Sequence, residues 1–299
     1  MRASARRPIW MDRPRASTQT AKAIILTIVV LLVVLPFVSI FTTSLATQKQ
    51  IAEDGGLVII PNHPTLGAYQ DIFQGGVVTR AIVITVLVTV IGTLLSLAVS
   101  VALGYALSRR EVFGSRPVLL FVLATLFFAP GIIPVYLMVM ELGLLNHYAS
   151  LILPILVQTF NVVVLRAFFM EMPGELVDSA RIDGAGDLTI LLRIVLPLSK
   201  GVLAVIGLFY AVGYWNAWFQ ALLYLNDTSM WPLQLILRLY VLQGQTLPGT
   251  SIANEAGVAP PEVAIQMAVV VIATVPILVV YPFLQRYFTK GVLTGAIKG

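Results

Sequence analysis

The sequence predicts an all-α fold, a polytopic transmembrane bundle of six helices, from three observations. Hydrophobic residues make up 58% of the chain and charged residues 11%, where a soluble domain carries roughly 25% charged residues. Six stretches of at least 23 residues contain no Asp, Glu, Lys or Arg. The basic residues are concentrated in alternate connections between those stretches. A surface so poor in charge has lipid rather than water as its natural solvent.

A helix needs about 20 apolar residues to cross a bilayer core. The six stretches are Ala23 to Gln48, Ala81 to Ser108, Pro117 to Met140, Leu142 to Leu165, Gly201 to Asn226 and Val263 to Gln285. A charge at the centre of an inserted helix costs roughly 2.5–3.5 kcal/mol, so its absence from all six is informative. The first stretch has some features of a secretory signal, with an Arg-rich flank and Ser44-Leu45-Ala46. Its apolar part is longer than a signal core of about 7–15 residues, which favours a retained anchor. The predicted organisation is an N-terminal tail (1–22), a six-helix membrane domain (23–288) containing an inner loop at 171–198, and a C-terminal tail (289–299).

Lys and Arg set the orientation. Sixteen of the 19 lie in the N-terminal segment, the second-to-third and fourth-to-fifth connections, and the C-terminal end; Lys49, Arg80 and Arg238 lie on the opposite side. The positive-inside rule then predicts both termini in the cytoplasm. Topology and anionic lipid thus account for the net charge of +5, and no nucleic acid is called for. The chain has no cysteine, which excludes disulfides and thiol chemistry, and its two histidines, His63 and His147, are placed in loops. No metal site is expected.

The outer connections carry turn formers at Asp54-Gly55-Gly56, Pro61-Asn62 and Pro64, and a short apolar stretch from Leu233 to Leu242 reads as an interfacial or packed helix. The longest inner connection is MEMPGELVDSARIDGAGDLTILLRIVLPLSK. Pro173 suits a helix start and Glu175 its positive end. Gly184 and Gly186 suit its termination. Leu176 and Ala180 lie four apart on one face, and Ser179, Ala180, Gly184 and Ala185 give a slim surface turned towards the cytoplasm. A helix of about ten residues is marginal alone. The residues by themselves leave open an ordinary loop or a helix that inserts into a partner.

Asp178-Ser179-Ala180, three residues (Arg181, Ile182, Asp183), Gly184, nine residues and then Ile194-Val195-Leu196-Pro197 resemble the EAA loop of ATP-binding cassette (ABC) importer permeases. The usual triplet is Glu-Ala-Ala, so Asp178 and Ser179 depart from it conservatively. Similarity extends to Ile59-Ile60-Pro61, Trp215-Asn216-x-Trp218-Phe219 and the C-terminal run from Tyr287. The closest likeness is to the MalG-type carbohydrate importers, in an LplC/YtcP-like branch associated with polysaccharide-derived oligosaccharides. The resemblance implies a type I importer permease fold and a second related permease subunit. It also implies a dimer of ABC ATPase subunits and an extracytoplasmic solute-binding protein. It implies that Asp178, Ser179, Ala180, Arg181, Asp183, Gly184, Ile194, Leu196 and Pro197 couple the chain to the ATPase. ATP and Mg are expected on that partner, since no Gly-rich loop ending in Gly-Lys-Ser or Gly-Lys-Thr occurs here. No catalytic residue and no cofactor are expected in this chain.

Trp215, Asn216 and Trp218 in the fifth stretch, with Gln158 and Asn161 in the fourth, have two readings. Aromatic faces and amides suit a sugar path, and they equally suit helix packing. Prolines at 130, 134, 154, 276 and 282 kink their helices, as hinges or as static shaping. A stand-alone secondary carrier is the alternative function. It would show internal repeats and buried ionisable groups, and neither is evident.

Overall fold

The computed structural model describes residues 16–74, 76–109, 111–242 and 262–295, and no strand occurs among them. The basic N-terminal segment up to Arg15, Gly75, Arg110, the segment 243–261 and the last four residues lie outside the described part. The described residues fall into two compact units, 16–68 with 262–271, and 69–242 with 272–295.

The first unit begins with α1 (Ala16–Thr43), followed by α2 (Gln48–Glu53). Almost all of α1 is exposed, with Leu26, Leu32, Phe37 and Phe41 each more than half accessible. An apolar surface of this extent is compatible with lipid and not with water. The segment after α2 is ordered by side-chain bonds. The Val58 N–H donates to Thr43 Oγ1 (2.8 Å), the Gln50 amide donates to the Ile60 carbonyl (2.8 Å), and Asn62 N–H donates to Gln50 Oε1 (2.9 Å). The expected turn at Asp54-Gly55-Gly56 is present, with Gly55 and Gly56 at φ +76° and +113°. Helix α3 (Gly67–Gln74) follows, with all but its first two residues in the second unit.

The second unit is organised around α4 (Val77–Ser108), which packs along most of its length against a later helix of the chain. The third apolar stretch is two helices, α5 (Ser115–Phe127) and α6 (Ile132–Glu141). Pro130 lacks an N–H and disfavours helix at Ala129, and Gly131 takes φ +81°.

The fourth stretch starts later than expected. Gly143 and Asn146 take left-handed φ of +68° and +58°, so residues 142–148 form turns. The helical part runs from α7 (Ala149–Ile152) through a 3₁₀ turn (Leu153–Ile155) to α8 (Thr159–Met170), with a bend of 53°. The absence of charge had marked an apolar stretch but could not mark these backbone reversals.

Next come α9 (Gly174–Ile182), α10 (Asp187–Ile190), a π-helical turn (Leu191–Val195) and α11 (Leu196–Leu198). The chain then turns by 86° at Ser199 into α12 (Lys200–Trp215), the helix that packs along α4. The fifth stretch therefore ends at Trp215 rather than Asn226, and α13 (Trp218–Tyr224) is a separate short helix. The Leu233–Leu242 stretch is a packed element. It consists of α14 (Leu233–Leu237) and a π-helical turn (Arg238–Leu242), with Leu233, Leu235, Ile236, Leu239 and Tyr240 buried. Helix α15 (Glu262–Gly295) continues through Pro276 and Pro282. Among the described residues, three helices are long and apolar enough to cross a membrane unbroken: Ser17–Thr43, Val77–Ser108 and Val263–Val280.

Candidate functional site

Helix α9 hangs between α8 and α10. Pro173 opens it with φ −56°, and Glu175 sits in its first turn. Its end is a Schellman closure. The Gly184 N–H donates to the Arg181 carbonyl (3.0 Å) and the Ala185 N–H to the Ala180 carbonyl (2.9 Å). The pattern needs a left-handed residue just past the helix, and Gly184 supplies it at φ +80°. The sequence-predicted stop is thus realised at Gly184.

The predicted faces of α9 require correction. Leu176 and Ala180 were expected to share one face, and Ala180 to belong to a slim surface turned towards the cytoplasm. Instead Val177 and Ala180 are buried, packed in one cluster with Phe169, Ile190, Leu191 and Val195, while Leu176 is exposed. Ala180 therefore belongs to the seam that holds the helix to its own chain and not to a slim outer surface. The outer surface carries Leu176, Asp178, Ser179, Ile182, Asp183 and Gly184. Ile182 is 87% exposed, and Leu188 beyond it is 68% exposed. Sequence reasoning missed these apolar tips. The available signal was an isoleucine set between two charges, Arg181 and Asp183, where no apolar face continues.

Polar contacts orient the helix. Arg181 donates to Glu111 Oε2 (3.2 Å) and to Asp187 Oδ1 (3.5 Å). Glu111, then Asp187, hold this guanidinium in its charged form more firmly than usual. Pairs this exposed add little to stability, so burial of Val177 and Ala180 anchors the helix and the ion pairs set its rotation. Behind them, Arg109 donates to the Tyr105 hydroxyl (2.7 Å) and lies 4.7 Å over its ring. Tyr105, Arg109, Glu111, Phe169 and Val177 border a cavity of about 390 Å³ at the root of α9. Sequence reasoning also passed over Glu111 and Tyr105, whose bonds to the loop span 70 residues or more, and Arg109, which bonds Tyr105.

The second half of the motif is not on α9. Ile194 lies in the π-helical turn and is half-buried, Leu196 and Pro197 lie in α11, and the 86° turn follows at once. The Ser199 hydroxyl donates to the Val195 carbonyl (2.6 Å) and closes that turn. These residues shape how the loop rejoins the bundle.

The five candidate path residues are held by different partners. Trp215 is buried, its indole N–H donates to the Ala273 carbonyl (3.2 Å), and it borders an apolar cavity of about 350 Å³ with Thr89, Val212 and Pro276. Asn216 is exposed and its amide donates to the Val212 carbonyl (2.9 Å) of its own helix. Trp218 is half-buried, with the Arg238 guanidinium 3.8 Å from its ring centroid and Phe219 at 5.3 Å. The Gln158 side chain is exposed. Asn161 is buried, and its amide nitrogen has no partner among the described residues.

Apolar helices with lipid-compatible faces, joined by a short pinned helix, are the architecture of a polytopic membrane protein. The chain belongs to the family described as binding-protein-dependent transport system inner membrane component, whose model matches residues 98–294. It is 43% identical over 269 residues to the polygalacturonan/rhamnogalacturonan transport system permease protein YtcP of Bacillus subtilis (strain 168), covering 90% of this chain and 94% of that one. It is 42% identical to protein LplC of the same organism, covering 89% and 90% of the two chains. A crystal structure of a bacterial ABC transporter involved in the import of the acidic polysaccharide alginate matches with a TM-score of 0.86 at 27% identity. That match covers 94% of this chain and 100% of the other. This chain is a non-catalytic permease subunit of an ABC importer in the inner membrane, and it works with an ATPase and a substrate-binding protein.

Proposed function

We propose that this permease moves an oligosaccharide into the cell by alternating access, with α9 as the helix that docks on the ATPase. The observation that carries the reading is the asymmetry of α9: one face is anchored by Val177 and Ala180, and the other presents Ile182 to a partner. An apolar tip outside the membrane spans is costly in water and favourable in a partner's cleft. In this reading a second related permease completes the path, and two ATPase subunits bind ATP and Mg²⁺. The names of the similar proteins, with polygalacturonan, rhamnogalacturonan and alginate, point to a polysaccharide-derived cargo. Reconstitution in vesicles tests this. Uptake of an oligogalacturonide is expected only when the second permease, the ATPase and the binding protein are all present. Uptake by this chain alone would establish a stand-alone carrier instead.

The same reading places both termini in the cytoplasm. The chain has no native cysteine, so single-cysteine variants report cleanly. His63, Glu111, Asp183 and Asp227 are all exposed. His63→Cys and Asp227→Cys are expected to react with an impermeant thiol reagent added outside, and Glu111→Cys and Asp183→Cys are not. External labelling at Asp183 would overturn the orientation.

Trp215, Asn216, Trp218, Gln158 and Asn161 remain the proposed substrate path, with Trp218 as the residue whose ring is best presented. Asn216→Ala and Trp218→Ala are expected to lower uptake a few-fold, on the scale of about 1 kcal/mol for one aromatic–cation or stacking contact. ATPase capture is expected to be unchanged. Normal uptake in both variants would make the cluster packing only.

A further inference from the structure

The bent fourth span has a built-in latch. Between α7 and α8 the helix tightens to a 3₁₀ turn and then breaks at residues 156–158. The Leu156 N–H bonds to the Leu153 carbonyl rather than to that of Ile152, so the Ile152 carbonyl keeps only the 3₁₀ bond of the turn and has a second lone pair to offer. The Gln158 N–H opens the next helix and lacks an intrahelical acceptor. In an apolar interior the Gln158 N–H needs another acceptor, and the Ile152 carbonyl can take a second donor. Two tyrosines one turn apart on α12 supply them. The Tyr214 hydroxyl donates to the Ile152 carbonyl (3.4 Å), and the Gln158 N–H donates to the Tyr210 hydroxyl (3.1 Å).

Each tyrosine is anchored in turn by a serine on α4. Ser96 lies 2.7 Å from the Tyr214 hydroxyl, and Ser100 lies 2.7 Å from that of Tyr210. All four side chains are buried. A phenol has one donor and two acceptor sites. Since Tyr214 gives its proton to Ile152, Ser96 is the donor to Tyr214. The two rows thus run Ser96–Tyr214–Ile152 and Ser100–Tyr210–Gln158, one on each side of the break. Below the break, α8 runs on to Met170 and then, three residues later, into α9.

We infer that Tyr210 and Tyr214 are positioning residues of a hinge, through which movement of α9 is passed along α8 to the α4–α12 pair. This rests on the docking role proposed for α9. A turn of α8 about the break must stretch the Gln158–Tyr210 bond before any apolar contact separates, because hydrogen bonds are short-ranged and directional. The hydroxyls therefore set how tightly the ATPase cycle and the transport path move together.

The test uses the reconstituted complete transporter, with uptake and ATP hydrolysis measured on the same vesicles and ATPase capture measured in parallel. Tyr210→Phe and Tyr214→Phe keep the ring and remove the hydroxyl. Each is expected to retain the ATPase and to lower uptake per ATP hydrolysed about five-fold or more, the lower end of ordinary coupling energies. Ser100→Ala is expected to lower it in the same direction, and Tyr210→Phe with Ser100→Ala no further than Tyr210→Phe alone, because both break one row. Should a phenylalanine variant fail to assemble, Ser96→Ala and Ser100→Ala decide, since they release the anchors and leave both rings in place. A wild-type ratio of uptake to hydrolysis in the assembled variants would overturn the latch while leaving the docking of α9 intact. If the wild-type permease itself captures no ATPase, it is the docking reading that fails.

Discussion

Replacing Gly184 by valine is expected to abolish uptake, with the ATPase released from the membrane subunits or hydrolysing ATP without transport. Gly184 stands at φ +80° at the end of α9, and a Cβ placed there meets nothing within 4 Å. The penalty in this chain is therefore conformational. A left-handed backbone costs an ordinary L-residue about 1–2 kcal/mol, and a β-branched residue is the worst accommodated. Loss of the left-handed turn breaks the closure on Arg181 and Ala180 and redirects the chain before Asp187, one of the two carboxylates that Arg181 contacts. The bundle itself should insert normally, because the loop's anchor at Val177 and Ala180 is untouched. Gly184→Asn is the control, since asparagine tolerates this conformation, and it is expected to keep most of the uptake. Vesicle uptake with ATPase pull-down measures both. Full uptake and full retention in the valine variant would remove α9 from the coupling role. Ala180→Trp is a poorer probe: Ala180 is packed inside the chain, so its enlargement disturbs folding as well as docking.

The second large effect is expected at Gly92. A Cβ built there lies 2.8–2.9 Å from three ring carbons of Tyr214. The ring rests on bare backbone, and its hydroxyl is held by Ser96 one turn further along α4. The side chain cannot swing aside without breaking that bond and opening the α4–α12 seam. Adding volume to a close-packed seam costs about 1–3 kcal/mol, so Gly92→Ala is expected to lower the thermal stability of the purified complex measurably. Gly92→Leu is expected to prevent its assembly. Gly207→Ala is the matched control on the facing helix. Its Cβ meets Leu97 Cδ2 at 3.8 Å, an ordinary contact, and near-wild-type stability is expected. Heating followed by size-exclusion chromatography reads all three. A Gly92→Leu complex as stable as wild type would mean that α4 and α12 do not pack this closely.

Much of this was legible because it rests on chemistry local to the chain. Stretches without charge mark lipid-compatible helices wherever they fall, since the solvation cost of each side chain is its own. Pro130-Gly131 marks the break in the third stretch because a missing N–H acts on its immediate neighbours. Gly184 marks the end of α9 because the left-handed turn is a property of one residue. The spacing from Asp178 to Pro197 could likewise be read along one segment.

What the tertiary structure decided is pairing. Ser96 and Tyr214 are separated by 118 positions and Ser100 and Tyr210 by 110, and nothing in either neighbourhood announces the other. Trp215 could be read as a sugar platform or as helix packing, and the group its indole bonds, the Ala273 carbonyl, lies 58 positions away. Ala180 looked like an outer residue and is buried, because a helix of nine residues has several small side chains and only the surface it meets selects among them. Solvent preference and backbone conformation are written residue by residue. Which polar group answers which, and which face of a short helix is covered, depend on where distant segments come to rest.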